Sequence, residues 1–152
     1  MPNKFSLQSI LDYRHSKVEG LEVELSQINH ALQQAQSVLQ GLTFRHGHLL
    51  ESLGKQQLGE VDLTQLTQTR ANLQLVERQI TRQQAQIATL AEKVAAKRAE
   101  IVLAKQDEEA LTTLKRKENE RVQAQLRQQE DRQQDDAYIA QGWRTTQFAL
   151  YR

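Results

Sequence analysis

At 152 residues the chain carries about one domain's worth of sequence, and its 20 Lys+Arg against 19 Asp+Glu leave a formal charge of only +1. Hydrophobic residues make up 38% and aromatics 5%, while 24 glutamines and 26% charged residues pull the mean hydropathy to −0.69. With one Pro and six Gly there are too few turn residues for a β-rich fold or for the Gly-rich crossovers of a pocketed α/β enzyme, and too few apolar groups for a compact globular core. The class that survives is a long, thin helical protein.

The absence of cysteine excludes disulfides, thiolate metal sites and thiol nucleophiles, and suits a reducing compartment. No stretch approaches the ~18 consecutive apolar residues of a membrane span. Lys4 is followed by no apolar run of the secretory kind. Balanced charge gives no electrostatic case for a nucleic-acid partner.

The first element runs from about Phe5 to Leu53. Every seventh residue from Leu11 reads Leu11, Val18, Leu25, Leu32, Leu39, His46 and Leu53. The companion positions read Leu7, Arg14, Leu21, Ile28, Ala35, Leu42 and Leu49. A 3.5-residue spacing puts this set on one narrow stripe, the seam of a coiled coil, interrupted only by Arg14 and His46. Gly20, Gly41 and Gly47 each cost ~1 kcal/mol against Ala without ending the helix.

The segment from Gly54 to Glu60 breaks the heptads. Gly54 stands where a helix C-cap belongs, because Gly enters the left-handed region without a Cβ clash. Asp62 followed by Gln65 reads as an N-cap with a capping-box partner.

The second element repeats the seam with Leu66, Leu73, Ile80, Ile87, Val94 and Ile101. Its companions Val76, Leu90, Ala104 and Leu111 are apolar, whereas Thr69, Gln83 and Lys97 are polar. Beyond Ile101 the same frame reads Glu108, Lys115, Val122 and Gln129, and the stripe fades. No Gly or Pro intervenes before Gly142, so the helix can run on for ~80 residues, ~120 Å at 1.5 Å per residue. If the chain reverses near Gln57 and Leu58, antiparallel partners have numbers adding to about 115, and Phe5 meets the region of Ala110. The fold expected is all-α: an antiparallel two-helix coiled-coil hairpin with a longer, protruding C-terminal helix. It forms one coiled-coil domain over 1–152, with helix 1 about 5–53, a turn at 54–61 and helix 2 about 62–149. From about Leu114 the helix is polar all round and has no intramolecular face to bury. Charge support there is mixed, since Glu120 lies one turn from Arg116 but Arg121 falls beside Lys117.

Chemistry-bearing groups are sparse. His46 and His48 point apart on a helix, and with His15 and His30 they assemble no convergent metal set. Asp107, Glu108 and Glu109, and Asp135 with Asp136, read as solvated helical faces, and no nucleophile elbow or phosphate loop occurs. Neither catalytic residue, metal nor cofactor is expected. The basic run Lys115-Arg116-Lys117 is diluted at once by Glu118 and Glu120, against nucleic-acid binding. The tail concentrates Tyr138, Ile139, Trp143, Phe148, Leu150 and Tyr151. These could dock back on Phe5, Ile10 and Tyr13, but a long overhang favours a partner protein, for which Trp and Tyr are frequent anchors.

Three stretches resemble a known family, the flagellar type III export stalk-chaperone FliJ with its injectisome relatives. Phe5-Ser6-Leu7-Gln8-Ser9-Ile10-Leu11-Asp12-Tyr13-Arg14 is similar to its opening pattern, and Lys97-Arg98-Ala99-Glu100 through Leu114-Lys115-Arg116-Lys117 to its Lys-Arg-rich centre. Gln133 to Ala140 resembles its Gln-Lys-x-x-Asp-Glu-x-Ala signature, with Ala137 and Tyr138 where the acidic pair is expected. The resemblance implies a non-enzymatic stalk like the central shaft of rotary ATPases. Its partners would be the hexameric export ATPase, the cytoplasmic domain of the export gate, and export chaperones. Its place would be cytoplasmic, at the inner face of the membrane and peripheral to it through those partners. The ATPase contact would fall on Phe5, Leu7, Ile10 and Arg14 and on Arg121, Gln125, Arg127, Arg132 and Gln133. The gate contact would fall on Asn72, Leu73, Val76, Gln79 and Gln83. The competing reading is a free coiled-coil scaffold or tether unrelated to export.

Overall fold

The computed structural model describes residues 5–150; Tyr151 lies outside them, as do the side chains of Phe148 and Leu150. Two long helices pack against each other: α1, Gln8–Gln56, and α2, Leu63–Leu150. Among the described residues there is no strand, and the all-α helical hairpin is the fold observed. The reason is the stripe. Every seam position from Leu7 to Leu53 and from Leu66 to Leu111 is buried or half-buried, while the outward positions are exposed. A seam this narrow buries few side chains completely, which is why a chain so poor in apolar residues can fold.

The described residues divide into two compact units, one of 16–105 and one of 5–15 with 106–150. In the first, Val18, Ala35, Val76, Val94, Ile101 and Ala104 form the buried core, with Val76 at 1% exposure the deepest. In the second the core is Leu11 and Leu111.

The polar residues that interrupt the stripe sit in the seam, and each has a partner, as burial of a polar group demands. Within residues 16–105, Gln83 Nε2 donates to the Ala35 carbonyl at 2.9 Å, which the small Ala35 leaves accessible. His46 Nε2 lies 3.2 Å from Glu77 Oε1, and Thr69 Oγ1 donates to the Gln65 carbonyl at 3.0 Å. Lys97 Nζ reaches Glu24 at 2.7 Å and Glu100 at 3.3 Å. These contacts, Glu24 foremost, hold the Lys97 ammonium above its ordinary pKa against the opposing effect of burial. In the other unit, Arg14 Nη1 donates to the Asp107 carbonyl at 2.9 Å.

The turn differs from the expected one. Helix α1 continues through Gly54 to Gln56, and the left-handed residue is Gly59, with φ 77°. Continuing the helix adds a backbone hydrogen bond per residue, and Gly59 still offers the αL conformation needed to reverse the chain. Asp62 caps α2 as expected: its Oδ1 accepts from the amides of Thr64 at 3.0 Å and Gln65 at 3.3 Å. The later turn moves the register. Partner numbers add to 118 for Ala35 with Gln83, 123 for His46 with Glu77 and 121 for Glu24 with Lys97, instead of about 115.

Candidate partner-binding surfaces

In the unit of residues 5–15 and 106–150, the α1 end is partly committed to packing. Phe5 and Leu7 are half-buried, Ile10 is exposed, and Arg14 is half-buried with its guanidinium held by the Asp107 carbonyl. One residue on, His15 Nδ1 lies 2.7 Å from Glu108 Oε1. Along α2 the half-buried pattern persists through Lys115 and Glu118 to Val122, about two turns farther than expected, in keeping with the later turn. Beyond Val122 every described side chain is exposed.

This exposed stretch begins just after a local ion pair. Arg121 turns to Glu118 at 2.8 Å, away from Lys117, and that carboxylate keeps its guanidinium above the ordinary pKa. Arg116 lies 3.9 Å from Glu120. Gln125, Arg127, Arg132 and Gln133 are exposed, and Arg127 and Arg132 have no ion pair among the described residues. Farther on, Tyr138, Ile139 and Trp143 are 79%, 59% and 67% exposed. They do not dock back on Ile10 and Tyr13, which are themselves exposed. The unit therefore presents a preformed polar helix carrying long flexible side chains, with an aromatic pair toward its end.

In the unit of residues 16–105, the five residues that the resemblance implies for the gate divide into two groups. Leu73, Val76 and Gln83 belong to the seam: Leu73 is half-buried, Val76 fully buried, and the Gln83 amide is bonded across to Ala35. Asn72 is exposed and Gln79 half-buried, one residue before the seam positions Leu73 and Ile80, so both line one flank of the seam. Across from them on α1 lies a feature the sequence reading passed over. Phe44, 79% exposed, stacks on His48 with ring centroids 6.3 Å apart and planes 8° apart. An aromatic at an outward position with a second ring four residues on was its available signal.

No group of three or more His, Asp or Glu among the described residues is placed to hold a metal ion, and no helix there is long and apolar enough to cross a membrane. Comparison with curated proteins found no match, and neither did comparison with solved structures. Residues 3–147, nearly the whole chain, match the family described as flagellar FliJ protein. With that match lying over a two-helix hairpin, the chain belongs to the FliJ family of flagellar protein-export components.

Proposed function

We propose that this chain is a non-enzymatic stalk of the flagellar export machine, inserting into the hexameric export ATPase ring and coupling that ring to the export gate. The observation that carries the reading is the stretch of α2 after Val122, helical and exposed on every side. A helix without an apolar stripe of its own is stabilised by joining a partner, and a ring pore presents walls all round it. The pore contact is made by Phe5, Leu7, Ile10 and Arg14 together with Arg121, Gln125, Arg127, Arg132 and Gln133. Guanidinium forks pair bidentately with carboxylates, so Arg127 and Arg132 suit a pore wall with acidic loops. The gate contact lies on the residue 72–83 stretch and is made by its outward members Asn72 and Gln79, with Leu73, Val76 and Gln83 supporting them from the seam. Export chaperones and a position at the cytoplasmic face of the membrane belong to the same reading.

The test is the ATPase activity of the cognate export ATPase with and without this protein, alongside co-elution of the two. Stimulation with co-elution supports the stalk role. Absence of both removes it.

A further inference from the structure

The seam contacts fix which flanks of the two helices lie together within residues 16–105. Naming the seam positions a (Val18, Leu25 and their series; Leu66, Leu73 and theirs) and d, Lys97 at d bonds both Glu24 and Glu100, each at g. Lys105 and Glu22, each at e, pair at 3.2 Å. So g faces g and e faces e, as in an antiparallel coiled coil, and the g and c positions of both helices share one flank.

Over residues 38–52 of α1 and 72–89 of α2 that shared flank holds Arg45, His48 and Arg82, and no g or c position there is Asp or Glu. Glu77 lies on the opposite flank and is engaged by His46, and Glu51 occupies the outermost line of α1. Arg45 and Arg82 are exposed, with no ion pair among the described residues. Between and beside them stand Val38 at 52% exposure and Leu75 at 49%, while Phe44, stacked on His48, shares the outermost line of α1 with Glu51. Elsewhere along the seam Lys97 and Lys105 are paired with Glu24, Glu100 and Glu22. Here cations and apolar groups are left together without acids, which is the complement of a carboxylate-bearing segment with an apolar side chain.

We infer that this flank takes an acidic segment of the export gate's cytoplasmic part, its carboxylates on Arg45 and Arg82 and an apolar side chain against Val38 and Leu75. The inference rests on the gate reading above and adds the chemistry of the partner segment. It differs from a buried apolar contact centred on Val76, because binding then depends on charge and weakens with salt. The Debye length falls from about 10 Å at 0.1 M to about 3 Å at 1 M ionic strength.

The experiment measures affinity of the full-length protein for the purified cytoplasmic part of the cognate gate by calorimetry, at low and high salt. Two double variants are compared, Arg45→Glu with Arg82→Glu, and Arg70→Glu with Arg98→Glu. The second pair makes the same change in net charge at exposed e positions of α2, on the other flank. Circular dichroism melts should show both folded, since all four side chains are exposed. The expected result is about a tenfold loss of affinity and a flattened salt dependence for the first double variant, and wild-type affinity for the second. Equal effects of the two, or none from either, overturn the inference. If the wild-type protein does not bind the gate at all, the gate reading itself fails. The acid preference is then judged with a synthetic Glu- and Leu-rich helical peptide, its contacts mapped by amide chemical shifts. Shifts confined to residues 38–48 and 72–86 and lost in the first double variant uphold it, and shifts elsewhere or none overturn it.

Discussion

Val76 shows how packing and partner contact can be told apart. It is 1% exposed, the deepest apolar side chain of the seam. Replacing it with Ala removes two buried carbons, ~1.6 kcal/mol at ~0.8 kcal/mol each. The cavity left behind raises the cost to about 2 kcal/mol. For a chain of this size that lowers the melting temperature by about 4–8 °C. Val76→Asp places an unpaired carboxylate in the same space and costs several kcal/mol, enough to open the seam around it. Both effects are read by far-ultraviolet circular dichroism melts, run at two protein concentrations so that any self-association shows itself. Gate binding measured in parallel should fall only as the folded fraction falls. A Val76→Asp protein that melted like the wild type yet lost the gate would refute this reasoning, since the side chain would then act as an exposed contact.

Other outcomes follow from single residues. Gly20→Ala should raise stability by about 1 kcal/mol, because a Cβ there meets nothing within 4 Å and the helix loses one of its weakest residues. Gly59→Ala meets equally open space but should lower stability by about 1–2 kcal/mol, because φ 77° is strained for an L side chain; melts of the two variants should move in opposite directions. Lys97, whose pKa is raised by Glu24 and Glu100, contributes stability that is complete below its unfolded value of ~10.4 and is lost as pH rises through the higher folded value. Relative to Lys97→Met, the wild-type protein should therefore lose stability on the alkaline side of about pH 10.4 and keep it through neutral pH, as denaturant titrations across that range will read. Arg127→Glu with Arg132→Glu should lower ATPase stimulation while the melting curve stays unchanged, since neither side chain has an ion pair to lose among the described residues.

The seam was legible because its period needs no structure to be counted, and even its polar members Arg14, His46, Thr69, Gln83 and Lys97 lie where the count places them. The turn was less so. Gly54 and Gly59 compete for one role, local propensity does not choose between them, and a later choice moves the partner register along both helices. On the candidate surfaces, the stripe and the family resemblance made competing claims on Leu73, Val76 and Gln83, and their burial is what the stripe implies. Arg45 and Arg82 went unnoticed because a lone cation at an outward position looks like any solvated face, and His48 was weighed only as a metal ligand. Only the pairing of flanks, which Lys97 and Lys105 reveal, brings them onto one side with no acid between.

The exposed end of α2 shows why its order matters as much as its residues. A short helix alone in water is marginal, because the first turn fixes several residues for one hydrogen bond. Residues 123–147 do not face that cost, since they extend a helix already packed at Leu111 and half-buried to Val122, so only propagation remains. Gln, Arg and Ala, which make up more than half of the stretch, lose little rotamer freedom in a helix. Had this segment been disordered, entering a partner would have cost roughly 1–2 kcal/mol of backbone entropy per residue ordered. Exposed ion pairs return only ~0.2–1 kcal/mol each, so contacts through Arg127 and Arg132 could not offset such ordering over more than a few residues. With the helix formed beforehand, the polar contacts of the proposed stalk, joined by Tyr138 and Trp143, would be sufficient to hold a partner and weak enough to release it.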